Sequence, residues 1–165
     1  MKIAGIIKDS IVNGIGIRDV IFVQGCPHRC KGCHNPQTWD FTKGEERTIQ
    51  SLIDEFKDSP NDITISGGEP FYYPVDLCTL VAHMHYLHPK KTFWIYTGYT
   101  VEEINPLTLK FLAKNGVEVI VDGNFEEDKR DNSLRFRGSY NQRIIDLRKT
   151  VKSDFEQIVS WEETE

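Results

Sequence analysis

Three of the four cysteines in this chain fall within eight residues, as Cys26-Pro-His-Arg-Cys30-Lys-Gly-Cys33, and no other feature of the sequence constrains the fold as much. Disulfide frameworks spread their cysteines to staple distant segments, and they belong to oxidising compartments. A tight C-x3-C-x2-C loop reads instead as a metal site. Three thiolates on one short loop reach three corners of a cubane iron–sulfur cluster and leave the fourth iron without a protein ligand. An open coordination position is what a metal needs to act on a substrate, as in catalytic zinc sites. The competing reading is a structural Cys3His zinc site completed by His28 or His34. Structural zinc generally draws two ligand pairs from separate loops, and the sequence holds no second pair. His34, directly after Cys33, is also poorly placed to share one tetrahedral ion with it. The spacing therefore favours a cluster on Cys26, Cys30 and Cys33, and three ligands rather than four point to chemistry. Cys78 stands beside Leu77 and near Val81 in a helical pattern and reads as a small buried apolar residue.

With 165 residues, 39% of them apolar, the chain reads as one domain over residues 1–165, its tail from about residue 160 a frayed, solvated end. No apolar run approaches the roughly 18 residues needed to span a bilayer. The stretch over residues 3–7, broken by Gly5, is too short for the hydrophobic region of a signal peptide. A net charge of −5 with no long basic run gives no nucleic-acid surface. The expectation is a soluble cytoplasmic protein with neither a membrane nor a nucleic-acid partner.

Runs of β-branched and aromatic residues alternate with amphipathic stretches. Residues 20–23, 63–65, 93–96 and 117–121 read as strands, and Ile144-Ile145 as a short fifth. A helix is expected over residues 46–58, because Ile49, Leu52, Ile53 and Phe56 recur at helical spacing. Another is expected over 74–88, with Leu77, Val81 and Met84 on one face. A third begins at Asn105-Pro106, a cap residue followed by proline, and stops at Gly116. This alternation implies an α/β fold with right-handed crossovers and a mostly parallel sheet. A closed eightfold barrel takes about 250 residues, so a chain of this length holds a partial, open (β/α) barrel.

The unusual segments all follow strands: Gly25-Cys26 the first, Ser66-Gly67-Gly68-Glu69-Pro70 the second, Thr97-Gly98-Tyr99-Thr100 the third and Asp122-Gly123 the fourth. Parallel strands bring all of them to one carboxyl edge, where α/β sheets place their ligands.

A C-x3-C-x2-C loop after one strand, with Gly67-Gly68-Glu69 after the next, resembles the radical S-adenosylmethionine superfamily. The resemblance implies a radical SAM type of fold and a 4Fe-4S cluster whose open iron chelates S-adenosyl-L-methionine. One electron delivered through the cluster then breaks the S–C5′ bond, giving methionine and a 5′-deoxyadenosyl radical. It also implies that Gly67, Gly68 and Glu69 hold the methionine amino group, which suits glycine backbone and a carboxylate. Many relatives carry an aromatic residue directly before the third cysteine. Gly32 stands there in this chain, so backbone contacts from Gly32, Cys33 and His34 are expected to serve the adenine. His34 is equally a polar residue ending a loop, and Asp122 either bonds a ribose hydroxyl or caps the turn at Gly123.

Further segments narrow the resemblance. Asn13-Gly14-Ile15-Gly16-Ile17-Arg18, running into Phe22-Val23-Gln24-Gly25-Cys26, is similar to the opening segment of glycyl-radical-enzyme activases. Cys33-His34-Asn35-Pro36-Gln37-Thr38-Trp39, Trp94-Ile95-Tyr96-Thr97-Gly98-Tyr99 and residues 137–145 resemble the activases of anaerobic (class III) ribonucleotide reductase. That implies an oxidoreductase that takes a hydrogen atom from a glycine of the reductase catalytic subunit. An open barrel would admit that glycine from the side. A flavodoxin or ferredoxin-type protein is the electron donor usual for the superfamily. Residues 137–143 are left between partner contact, cofactor contact and loop ordering. The alternatives are an activase of another glycyl radical enzyme, a radical enzyme acting on a small molecule, and a zinc-stabilised binding module.

Overall fold

The structure, a computed structural model, describes residues 1–163. Its centre is a seven-stranded sheet in the order β3-β1-β2-β4-β5-β6-β7. The strands are β1 Lys2–Ser10, β2 Arg18–Val23, β3 Glu45–Glu46, β4 Asp62–Gly67, β5 Phe93–Tyr96, β6 Val117–Asp122 and β7 Arg143–Asp146. Strands β2, β4, β5 and β6 run parallel, as the alternation predicts. The expected mostly parallel sheet is corrected at both flanks, where β1 and β3 on one side and β7 on the other pair antiparallel. Strand β1 has no counterpart in the sequence reading. Gly5 and register shifts between Ile3 and Gly5 and between Ile7 and Ser10 blur its alternation.

Four helices cover one face: α1 Ile49–Phe56, α2 Pro74–Leu87, α3 Pro106–Lys114 and α4 Leu147–Lys152. Helix α1 is shorter than predicted because Glu45 and Glu46 pair with β1 and Thr48 caps the helix, accepting from the Ser51 amide. Asn105 caps α3 as expected, accepting from Leu107 N with Pro106 in the first turn. Leu52, Phe56, Leu77, Leu80, Met84, Leu109 and Leu112 pack on Ile21, Ile63, Ile65, Phe93 and Ile95 in the main core.

The other face carries a smaller cluster of Trp94, Val119 and Val121. Strand alternation sends Phe93 and Ile95 to the helices and Trp94 and Tyr96 to this face. In β6 the pairing steps from Val117 to Val119, so Glu118 is an extra residue and Val117 and Ile120 share the helix side. At the start of the tail the expected fraying is not seen as far as Trp161. Ser160 bridges Ile145, the Trp161 amide donates to the Ile144 carbonyl, and the Trp161 ring meets Trp94 edge-on at 5.0 Å. A large aromatic ring is better buried on Trp94 than left in water. Residues 164 and 165 lie outside the described residues.

Arg18 is fully buried where the loop before β2 crosses the sheet. It donates to Thr64 Oγ1 at 2.8 Å and to the carbonyls of Ile15, Ile63 and Thr92 at 3.0–3.1 Å. Burial lowers its pKa to about 10, so it stays charged at neutral pH and fixes the 11–17 loop. No helix among the described residues is long and apolar enough to cross a membrane.

Candidate functional site

The loops after the four parallel strands meet at a cavity of about 360 Å³ that Cys26, Cys30 and Cys33 all line. Gly67 and Gly68 from the β4 exit, Thr97 and Gly98 from the β5 exit and Gly123 after β6 face the same space. The strand exits therefore converge, as strand order predicts. The cysteine loop is anchored at its base, where the amides of Gly25 and Cys26 donate to the carbonyls of Thr38 and Trp39 at 2.7 and 3.2 Å. It is stitched to the next loop as well: Gly68 N donates to Val23 O at 2.7 Å and Glu69 N to Gly25 O at 2.9 Å.

All three thiols are free, Cys26 buried and the others half-buried. Burial pushes the thiols of Cys26 and Cys30 up. No group of three His, Cys, Asp or Glu side chains among the described residues closes around a single metal ion. Three free thiols bordering one cavity suit a cubane, whose irons are bound one per cysteine. The donor set therefore fits a cluster that Cys26, Cys30 and Cys33 would hold, with one iron lacking a protein ligand.

The other predicted residues fall into two groups. His34 lines the cavity with its ring tilted against Phe125, centroids 5.2 Å apart. Gly32 is exposed at a φ of +75° and does not border the cavity. Glu69 and Asp122 are fully buried and border it no more than Gly32 does. Asp122 follows Val121 in strand alternation, so it shares the helix-covered side with Ile120. Its carboxylate accepts from Val101 N at 2.8 Å and from Arg143 Nε and Nη2 at 2.9 and 2.5 Å.

Arg143 also forks onto Glu102, at 3.0 and 2.6 Å. That bidentate contact holds the Glu102 carboxyl at about 2, against an ordinary value of 4.5. A depressed folded-state pKa means the contribution is complete above 4.5 and lost as pH falls toward 2. Wild type is thus expected to exceed Glu102→Gln by about 0.5–1 kcal/mol in urea unfolding at neutral pH, a half-exposed pair's range. The two midpoints should converge through that acidic window, and a constant gap would contradict the pairing.

Several lining residues had no individual reading in the sequence. Tyr96 shares the Trp94 face of β5, and burial pushes its phenol above the ordinary range. Arg137 and Gln142 line the cavity from the loop before β7. Gln142 Oε1 accepts from Gly138 N and Ser139 N at 2.8 and 3.2 Å, and its Nε2 donates to Gly123 O at 3.0 Å. Arg137 donates to the Gln142 carbonyl at 2.6 Å and has no carboxylate partner among the described residues. Strand periodicity carries the Tyr96 position, whereas the 137–142 loop is irregular and is marked in the sequence only by the resemblance carried by residues 137–145, which leaves its role open.

Comparison with known proteins identifies a family. A family model described as a 4Fe-4S single cluster domain matches residues 12–145. An anaerobic ribonucleoside-triphosphate reductase-activating protein of Pasteurella multocida (strain Pm70) is 38% identical over 143 residues, 81% of this chain and 90% of that protein. The protein of that name in Escherichia coli (strain K12) is 37% identical over 146 residues, 84% of this chain and 94% of its own. The one in Enterobacteria phage T4 is 37% identical over 140 residues, covering 81% and 86%. The chain thus belongs to the family of anaerobic ribonucleoside-triphosphate reductase-activating proteins and carries its 4Fe-4S single cluster domain.

Proposed function

We propose that this chain is an activase that cleaves S-adenosyl-L-methionine at a 4Fe-4S cluster and leaves a glycyl radical on the anaerobic ribonucleotide reductase catalytic subunit. The observation that carries the proposal is that the three thiols and the Gly67-Gly68 backbone border one cavity at the carboxyl edge. Cys26, Cys30 and Cys33 would hold the cluster, which would supply the electron for cleaving the S–C5′ bond to methionine and a 5′-deoxyadenosyl radical able to take a hydrogen atom from the glycine.

The protein's own groups position and shield. The backbone of Gly67 and Gly68 offers acceptors to the methionine ammonium, close to the thiols. The His34–Phe125 pair gives the adenine an aromatic wall. Arg137 turns unpaired guanidinium donors on the cavity and suits a carboxylate there. Leu134, Phe136 and Val121 give the cavity apolar lining, which limits water around a reactive carbon. The whole chain, residues 1–165, acts as a single domain, and its sheet, whose end strands β3 and β7 do not pair with each other, is read as the open partial barrel of the radical SAM type. The lateral opening admits the glycine-bearing segment. The setting is cytoplasmic, the electron donor a flavodoxin or ferredoxin-type protein, and neither nucleic acid nor membrane takes part.

The test is anaerobic reconstitution with iron and sulfide, reduction with dithionite and addition of S-adenosylmethionine. Formation of 5′-deoxyadenosine, and a protein radical by paramagnetic resonance once reductase is added, is the expected result. A loaded, reduced chain that forms neither contradicts the proposal. Arg137→Ala is expected to raise KM for S-adenosylmethionine about 10-fold or more, the equivalent of the ~1.5–3 kcal/mol of a hydrogen bond to a charged group. An unchanged KM removes Arg137 from the site.

A further inference from the structure

Glu69 stands in the segment that the family resemblance assigns to the methionine amino group, yet its carboxylate is fully occupied inside the protein. Oε1 accepts from Phe71 N at 3.0 Å and from Thr97 Oγ1 at 2.8 Å. Oε2 accepts from Gly98 N at 2.9 Å and from His28 Nε2 at 2.7 Å. An ionised carboxylate has about four lone-pair sites. All four are used, each by a donor, and the residue is 0% exposed. Nothing remains on this side chain for an incoming ammonium.

The fourth of these donors is the informative one. His28 lies between Cys26 and Cys30, so its bond to Glu69 is a direct tie between the cysteine loop and the exits of β4 and β5. Its side chain is only 11% exposed. The ring meets Tyr99 edge-on with centroids 4.5 Å apart. It also lies against the Gly98 backbone so closely that a Cβ there would fall 2.5 Å from His28 Cδ2. The imidazole is thus seated against Glu69, Gly98 and Tyr99 at the border of the cavity that the thiols line.

The geometry points to Glu69 as a positioning residue that acts through His28 to hold the cysteine loop in its cluster-binding shape, leaving the methionine amino group to the backbone of Gly67 and Gly68. This assignment rests on reading Cys26, Cys30 and Cys33 as the cluster ligands. A buried anion with four donors is a rigid post, and a loop bonded to it keeps its thiols spaced for the cubane. Groups that orient ligands in this way typically carry about 10- to 100-fold in metal affinity or activity.

The experiment compares wild type, His28→Ala, His28→Gln, Glu69→Ala and the His28→Ala/Glu69→Ala double variant, each reconstituted anaerobically. Iron and sulfide retained against a chelator, the resonance spectrum of the reduced cluster, and KM for S-adenosylmethionine in the loaded fraction are measured. Each alanine variant is expected to retain cluster about 10- to 100-fold less well. The double variant should be no worse than the poorer single one, because both remove the same tie. His28→Gln keeps an N–H donor and should recover much of the retention, while KM stays near wild type. His28→Ala retaining its cluster and spectrum like wild type overturns the inference, whatever Glu69→Ala does to folding. A raised KM in Glu69→Ala with normal retention overturns it too and returns Glu69 to the substrate. A wild-type chain that takes up no cluster overturns it together with the cluster reading, whereas a loaded wild type with a silent His28→Ala overturns the positioning role alone.

Discussion

Alanine at Cys26, Cys30 or Cys33 is expected to bring 5′-deoxyadenosine formation down to background while the chain remains folded. Each thiol is one of three that border the cavity, and the histidines beside them, His28 and His34, are neutral nitrogen donors that do not replace a cluster thiolate. Cys78 cannot substitute, since it sits on α2 and packs against the helix-side core. Folding should survive because Cys30 and Cys33 are half-buried loop residues outside both apolar clusters, where truncation costs about 0.5 kcal/mol or less. Iron and sulfide analysis, the product assay and thermal unfolding followed by circular dichroism check the three parts separately. Wild-type turnover in Cys30→Ala or Cys33→Ala would sink the ligand assignment.

Gly68→Ala is expected to damage stability and cluster content together. A Cβ on Gly68 would run into the carbonyl oxygen of Gly25, and its next contacts are the Gly25 carbonyl carbon and the Val23 carbonyl oxygen. These are backbone atoms at the base of the cysteine loop, so no side chain can swing aside to relieve the clash. Neighbouring Gly67 holds a φ of +93°, which fixes the β4 exit in a shape that other residues rarely adopt. Overpacking of this kind costs about 1–3 kcal/mol. Here the displaced atoms also carry Cys26, so cluster loading should fall by more than the loss of stability alone explains. Guanidinium unfolding and iron content of the same preparation separate the two. Normal loading in a destabilised Gly68→Ala would show that the two loops are not mechanically joined.

Much of this site is legible in the sequence because its residues belong to strand exits. Once residues 20–23, 63–65, 93–96 and 117–121 are read as parallel strands, their following loops must share an edge, and they do. What periodicity misses is irregular. Strand β1 hides behind Gly5 and two register shifts, and α4 is a short helix whose sequence carries little pattern. The tail looks solvated because four of its last five residues are polar, yet residues 159–161 pair with β7 and the Trp161 ring meets Trp94. Motif reading also cannot say where a side chain spends its hydrogen bonds. Glu69 and Asp122 stand at the right edge but turn their carboxylates to His28 and to Arg143, partners 41 and 21 residues away. Tertiary pairings of that span leave no local trace.

The radical chemistry proposed for this chain ends on a glycine of the reductase. The direct measurement is mass spectrometry of 5′-deoxyadenosine formed by the reconstituted chain with reductase whose glycines carry deuterium at the α-carbon. Deuterium in the 5′-deoxyadenosine, rising in step with a protein radical, is the predicted result. Deuterium-free 5′-deoxyadenosine, formed at the same rate with and without the reductase, would contradict it.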